Sequence, residues 1–233
     1  MKIEIIVTNL KEALLAEQYG ADRLELIHDF ELGGLSPALE LSKKVCAAVK
    51  IPVCVMVRPH GKSFIYDKHD VKQILSEIKY LREQTNAYGI VFGALTPTGE
   101  LDKDLLETVI SNKKHLTLCF HRAIDAAQNT LSCYQELLNY PNIDLVLTSG
   151  GKATALEGIA VIKQMLEMGK NYNHAKILAG SGITPDNAQE IITYTGVTQI
   201  HLGSGVRTNN ILDPKKFDHL LRGITDGDQN CKC

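Results

Sequence analysis

The chain has 233 residues, 44% of them hydrophobic and 22% charged, with a formal net charge of −2. That length can bury a large core in one α/β barrel or in two smaller domains. No stretch concentrates Lys and Arg, and no apolar run reaches the ~18 residues of a spanning helix, so the pattern argues against nucleic acid and membrane partners.

The first twenty residues, MKIEIIVTNLKEALLAEQYG, carry charges every few positions and resemble neither a signal peptide nor a membrane anchor, so a cytoplasmic protein is expected. A strand is expected at Ile3–Val7, followed by a helix at Leu10–Tyr19 and a strand at Arg23–Ile27. Ser36-Pro37 then reads as a helix start, pairing an N-cap residue with proline at the first helical position. Further strands are expected at Val53–Val57, Gly89–Phe92 and Leu116–Phe120, with a helix at Val71–Arg82. Leu145–Leu147, Ile177–Ala179 and Gln199–Leu202 complete eight strands, interleaved with helices at Leu156–Met168 and Asn187–Tyr194. Thr184-Pro185 and Asp213-Pro214 read as two more capped helix starts. Strand–helix alternation implies parallel strands with right-handed crossovers, and eight such units predict a single (β/α)₈ TIM barrel over residues 1–225. A doubly wound sheet is the rival, but the first strand runs into VTNLKEA, without the glycine fingerprint of a nucleotide fold. Residues 226–233 read as a short polar tail.

Alternation along each strand separates two faces. One carries Ile3, Ile5, Val7, Leu24, Leu26, Val53, Val55, Val57, Leu118, Phe120, Ile200 and Leu202, and should meet the helices. The other, facing inward, carries Glu4, Arg23, Glu25, Met56, Arg58, Thr117, Cys119, His121, Gln199 and His201. Buried charges are costly unless paired. Glu4 and Glu25 could neutralise Arg23 and Arg58 as a structural network. Glu25, Arg58, His121 and His201 are the candidate catalytic residues, because such barrels build sites at the carboxyl ends of their strands. Histidine's ordinary pKa of ~6.5 would suit His121 to acid–base work, with Glu25 as partner across the barrel.

The seventh strand ends in Gly180, Ser181 and Gly182, and the eighth in Gly203 and Ser204, with Arg207 shortly after. Glycine turns crowd backbone N–H groups toward an anion, and loops 7 and 8 hold phosphate in many such barrels. These six residues are therefore the candidate anion-binding set. In FHRAID, Arg122 is expected to leave the strand and pair with Asp125. That pair would be structural and worth at most ~1 kcal/mol if exposed.

Several motifs together resemble the CutC family of copper homeostasis proteins: GADRLELI with ELGGLSP, VMVRPHGKSFIY, GIVFGALTPTGELD and FHRAID, then LTSGG, AGSGI and IHLGS. The resemblance implies a (β/α)₈ barrel and a role in intracellular copper homeostasis. The chain departs from the family pattern at Ile27, where the family commonly has cysteine, and at His60, where it has arginine. Copper as a cofactor is what the resemblance implies, and Cu(I) prefers soft thiolates. Candidate ligands are Cys54, Cys119, His28, His60 and the tail pair Cys231 and Cys233, with no metal site assigned among them. With Ile27 in place, no tight internal copper site is expected. The other reading is an enzyme acting on a small anionic, perhaps phosphorylated, metabolite. Barrels of this type often associate, so a homodimer is expected.

Overall fold

The computed structural model describes residues 1–230, and for positions 225–230 the backbone alone. Eight parallel strands close into one barrel in chain order: β1 (Lys2–Val7), β2 (Arg23–Leu26), β3 (Val53–Met56), β4 (Gly89–Phe92), β5 (Thr117–Phe120), β6 (Leu145–Thr148), β7 (Lys176–Gly180) and β8 (Gln199–Leu202). Around them lie α1 (Leu10–Gln18), α2 (Leu39–Ala48), α3 (Lys68–Gln84), α4 (Lys103–Lys113), α5 (Thr130–Leu137), α6 (Ile159–Gly169), α7 (Ala188–Thr195) and α8 (Pro214–Asn230). A two-stranded ribbon, β9 (Arg207–Thr208) with β10 (Ile211–Leu212), precedes α8. No described helix is long and apolar enough to cross a membrane.

The expected single (β/α)₈ barrel is the observed fold. Each of the eight expected strands is present, with ends within a residue of expectation. The helix α8 passes position 226, where the polar tail was expected to begin, and continues to Asn230. The tail pair Cys231 and Cys233 lies outside the described residues.

Two of the three serine, threonine or aspartate caps take other roles. Asp213 does cap α8, accepting from the Lys215 N–H at 2.9 Å. At Ser36-Pro37, however, α2 begins only at Leu39, and the Ser36 hydroxyl donates to Glu77 at 2.6 Å while accepting from the Arg58 N–H at 2.8 Å. Ser36 therefore ties the end of β3 to α3. At Thr184-Pro185, α7 begins at Ala188, and the turn before it is closed by the Asn187 side chain accepting from the Thr184 N–H.

The two faces separate as alternation requires. The outward residues join one large core under the helices, including Ile5, Leu24, Val55, Phe120 and Leu202. A second, smaller apolar cluster fills the barrel itself, built from Ile27, Cys54, Met56, Val91, Cys119, Leu145, Leu147 and Leu178. Ile27 thus serves as inner packing. Closure is made by β1 pairing with β8, which sets Glu4 opposite His201, while β2 sets Arg23 opposite Glu4 on the other side.

Candidate functional site

A cavity of about 290 Å³ opens at the carboxyl ends of the strands. Its polar lining includes Glu25, Arg58, His121 and His201, all four candidate catalytic residues, and Arg122. Ile6, Ile27, Phe30, Met56, Phe64 and Leu147 form an apolar wall. The inward reading of the polar face therefore holds, with Arg23 lying toward the amino-terminal end, where it also donates to Gln199 at 3.1 Å.

The floor is a network of four charged or ionisable groups. Arg23 Nε donates to Glu4 Oε2, and His201 Nδ1 donates to Glu4 Oε1 at 2.8 Å. His201 Nε2 lies 3.7 Å from Glu25 Oε2. Burial by itself would raise the Glu4 pKa, but the Arg23 charge and the His201 hydrogen bond outweigh it and hold Glu4 at about 2. Glu25 lacks such support. Burial, with the neighbouring Glu4 charge, pushes it up to about 7 against the pull of His201 and Arg23. For His201 burial opposes the charge, yet Glu25 and Glu4 together raise its pKa. The expected network is thus half right: Glu4 neutralises Arg23, whereas Glu25 belongs to His201 rather than to Arg58 or His121.

His121 sits one residue beyond β5 and caps the 3₁₀ turn Arg122–Ala126. Its Nδ1 accepts from the Ala123 N–H at 3.2 Å. Gly93, at the end of β4, makes room for the ring, since a Cβ there would stand 2.6 Å from Nδ1. Phe64 packs against the same ring at 5.0 Å between centroids. Burial, and then the Arg58 charge, lower the His121 pKa to about 3. The expected acid–base role at a pKa near 6.5 is therefore corrected: this imidazole stays neutral and is a poor proton acceptor.

Arg58 donates through Nη1 to the carbonyls of Leu32 and Gly34 at 2.9 and 3.0 Å, and its guanidinium lies 4.7 Å from the Phe64 ring centre. Among the described residues no carboxylate pairs with it. Its Nε, together with His121 Nε2 and Glu25 Oε1, is buried without a hydrogen-bond partner among the described residues. Buried polar atoms are seldom left unpaired in folded proteins.

The anion-binding candidates divide. Ser181, Gly182, Gly203 and Ser204 border the cavity. Gly180 does not, and its role is close packing, since a Cβ there would meet His201 Cδ2 at 3.2 Å and Leu147 at 2.6 Å. Arg207 is also committed elsewhere. Its guanidinium donates to the carbonyls of Gly203 and Ile6 and to Glu12 at 2.8 Å, and packs over Phe30. It braces the loop after β8 from behind. Phe64 and Phe30 were not singled out by sequence reasoning, because loop residues carry no strand alternation to give them a direction. Arg122 pairs with Asp125 at 2.8 Å as expected.

A (His/Cys/Asp/Glu)₃ group that could hold a metal consists of Glu4, Glu25 and His201, whose ligand atoms lie within 4.8 Å of one another. This is a hard oxygen and imidazole set, and Glu4 already accepts from Arg23 and His201, so an added cation would face a guanidinium. The soft donors fit copper no better. Burial, reinforced by Glu4, raises the thiol pKa values of Cys54 and Cys119 well above the ordinary value, which opposes the thiolates that Cu(I) needs.

Stability should respond to pH through these shifts. In the unfolded chain His121 would take a proton near 6.5 and each glutamate near 4.5, against about 3, 2 and 7 for His121, Glu4 and Glu25 in the fold. Between pH 6.5 and 4.5 acidification loads His121 in the unfolded chain but Glu25 in the folded one. These contributions oppose each other at about 1.4 kcal/mol per pH unit and cancel. Below pH 4.5 the unfolded chain also loads Glu4, so His121 and Glu4 act together and stability falls by up to about 2.7 kcal/mol per pH unit. In His121→Gln the Glu25 contribution stands alone, so relative to the wild type the variant should gain stability as pH drops from 6.5 to 4.5. Urea denaturation across that range measures the difference, and identical pH profiles would contradict a buried neutral His121.

The family model described as the CutC family matches residues 1–206. A CutC family protein of Pasteurella multocida is 37% identical over 212 residues, covering 91% of this chain and 85% of that protein. The human copper homeostasis protein cutC homolog is 36% identical over 199 residues, covering 85% of this chain and 71% of the human one. Among solved structures, a CutC protein from Streptococcus agalactiae superposes with a TM-score of 0.80 at 26% identity, covering 89% of this chain and all of that one.

Proposed function

The chain belongs to the CutC family, and from that premise we propose that it shares the copper-homeostasis role for which its human and mouse relatives are named, exercised through a small-molecule site in the barrel mouth. The site binds a small anionic metabolite. One observation carries this reading: Arg58 is a buried cation, 6% exposed, lining the cavity with no carboxylate partner among the described residues. A buried charge is costly until it is paired, so an entering phosphate or carboxylate gains what Arg58 lacks. The backbone at Ser181–Gly182 and Gly203–Ser204, on the same cavity, supplies further N–H groups to such an anion. The free thiols of Cys46, Cys54, Cys119 and Cys133 suit a reducing cytoplasm.

Direct copper binding inside the barrel is the second reading, carried by the relatives' names. The donor set argues against it for Cu(I), as set out above. One pair of titrations separates the two. Calorimetry with inorganic phosphate should give binding that Arg58→Ala weakens about 10–100-fold, the worth of a charged hydrogen bond. Cu(I) titrated against a competing chelator, with Cys231 and Cys233 replaced by serine, should give no tight stoichiometric site. One equivalent of Cu(I) held against the chelator, with phosphate unbound, would reverse the choice.

A further inference from the structure

We infer that this cavity catalyses proton transfer at the carbon beside a carbonyl group in a small anionic carbonyl compound, with Glu25 as the base and His121 as the hydrogen-bond donor to the carbonyl oxygen. The inference rests on the anion-site reading above and adds the reaction to it.

The tautomer of His121 is decided by its surroundings. Because the Ala123 N–H donates to Nδ1, that nitrogen presents a lone pair, and the single proton of the neutral ring sits on Nε2. Nε2 is therefore an N–H donor, and it is one of the buried atoms without a partner among the described residues. Gly93 and Phe64 hold the ring in place, so the donor is oriented before a ligand arrives. A neutral imidazole N–H does not give up its proton. It strengthens its hydrogen bond as negative charge grows on an oxygen.

Glu25 stands on β2 and His121 beyond β5, so the cavity between them is lined by both. Oε1 of Glu25 has no hydrogen-bond partner among the described residues, and Oε2 faces His201. The groups around Glu25 are Glu4, Arg23, Cys54 and His201, and they leave it poised near neutrality, where a carboxylate accepts a proton and returns it. Catalytic hydrogen bonds are often loose before a ligand binds and tighten in the complex.

The step balances within the substrate and these two side chains. The Glu25 carboxylate takes the proton from the carbon beside the carbonyl. The C–H electron pair forms a C=C bond, and the C=O π pair moves to oxygen, where the His121 Nε2–H and the nearby Arg58 charge stabilise it. Protonated Glu25 then returns the proton to the same carbon as the oxygen lone pair re-forms the C=O bond and the C=C pair takes up the proton. A nucleophilic route suits the site less well, because the lowered His121 cannot serve as base to a serine and the Ser181 hydroxyl already donates to the Ala153 carbonyl at 2.8 Å.

The test uses the full chain in D₂O with two probes, ribulose 5-phosphate and pyruvate, which combine a carbonyl group with a phosphate ester at the far end of the chain or with an adjacent carboxylate. Proton NMR follows loss of the signal from the carbon-bound hydrogen next to the carbonyl, and saturation-transfer NMR follows binding. At least one probe should exchange about 100-fold or more above the protein-free rate. Glu25→Gln should lower that rate about 100-fold or more while the probe still binds. If Glu25→Gln does not fold, His121→Ala decides, with a loss of similar size, while His121→Gln, which keeps an N–H donor, retains part of the rate. A bound probe exchanging at the protein-free rate would overturn the inference and leave the anion site standing, as would exchange that survives Glu25→Gln. Binding of inorganic phosphate with neither carbonyl compound bound would overturn the substrate class. Failure of all three to bind would remove the anion site, and the inference with it.

Discussion

Glu4→Gln should destabilise the protein by about 3–5 kcal/mol at pH 7, the usual cost of breaking a buried ion pair from one side. Glu4 is 1% exposed and takes hydrogen bonds from Arg23 on β2 and His201 on β8, so it holds together the two strands that flank it. Without its charge, Arg23 becomes a buried cation whose remaining hydrogen-bond partner among the described residues is the neutral Gln199 side chain. His201 loses the acceptor that fixes its Nδ1 proton. Urea denaturation of the variant measures the loss. A double replacement, Glu4→Leu with Arg23→Met, should be far less damaging than the two single changes summed, because apolar groups of similar volume remove both desolvation costs together. A Glu4→Gln cost below about 1 kcal/mol would mean that desolvation already cancels the attraction in the native protein.

Asp125→Ala should cost about 3–5 kcal/mol, well above the ~1 kcal/mol of an exposed pair. Sequence reasoning pairs Asp125 with Arg122, and that contact exists, but it is the smaller part of what Asp125 does. The Asp125 side chain is only 6% exposed. It also accepts from the Thr148 hydroxyl at 2.6 Å, from the Ser149 N–H and hydroxyl at 3.0 Å, and from the Gly151 N–H at 2.9 Å. These donors belong to the end of β6 and the turn after it, where Thr148 and Ser149 are fully buried. Alanine would strand several buried donors at once, whereas Arg122→Ala, at a side chain 41% exposed, should cost about 1 kcal/mol or less. Thermal melts of both variants rank the two effects. Equal losses would mean that the ion pair, rather than the backbone donors, carries the turn.

FHRAID thus contains two residues that border the cavity, His121 and Arg122, and one structural brace. His121 faces the cavity, and Arg122 with Asp125 locks the turn after β5 to β6. Arg122 also reaches the cavity rim, which the expected pairing did not anticipate.

The barrel and its two faces were legible in the sequence because both are set locally. A strand shows its direction through alternation, so Val53, Val55 and Val57 could be sent outward and Met56 and Arg58 inward without knowing any partner. The same rule placed Glu25, His121 and His201 inside. What the sequence could not decide is which inward group meets which. Glu4 and His201 stand 197 residues apart and meet only because β1 closes on β8. In the closed barrel Glu25 stands beside His201, Arg58 has no carboxylate partner among the described residues, and Arg207 braces its loop from behind. The fold also sets the charge states: His121 is neutral because the folded barrel removes water and brings Arg58 near, and neither condition exists along the chain. Local geometry repeats every two residues and can be read in order, while pairing, desolvation and charge depend on long-range register, which exists only once the barrel has closed.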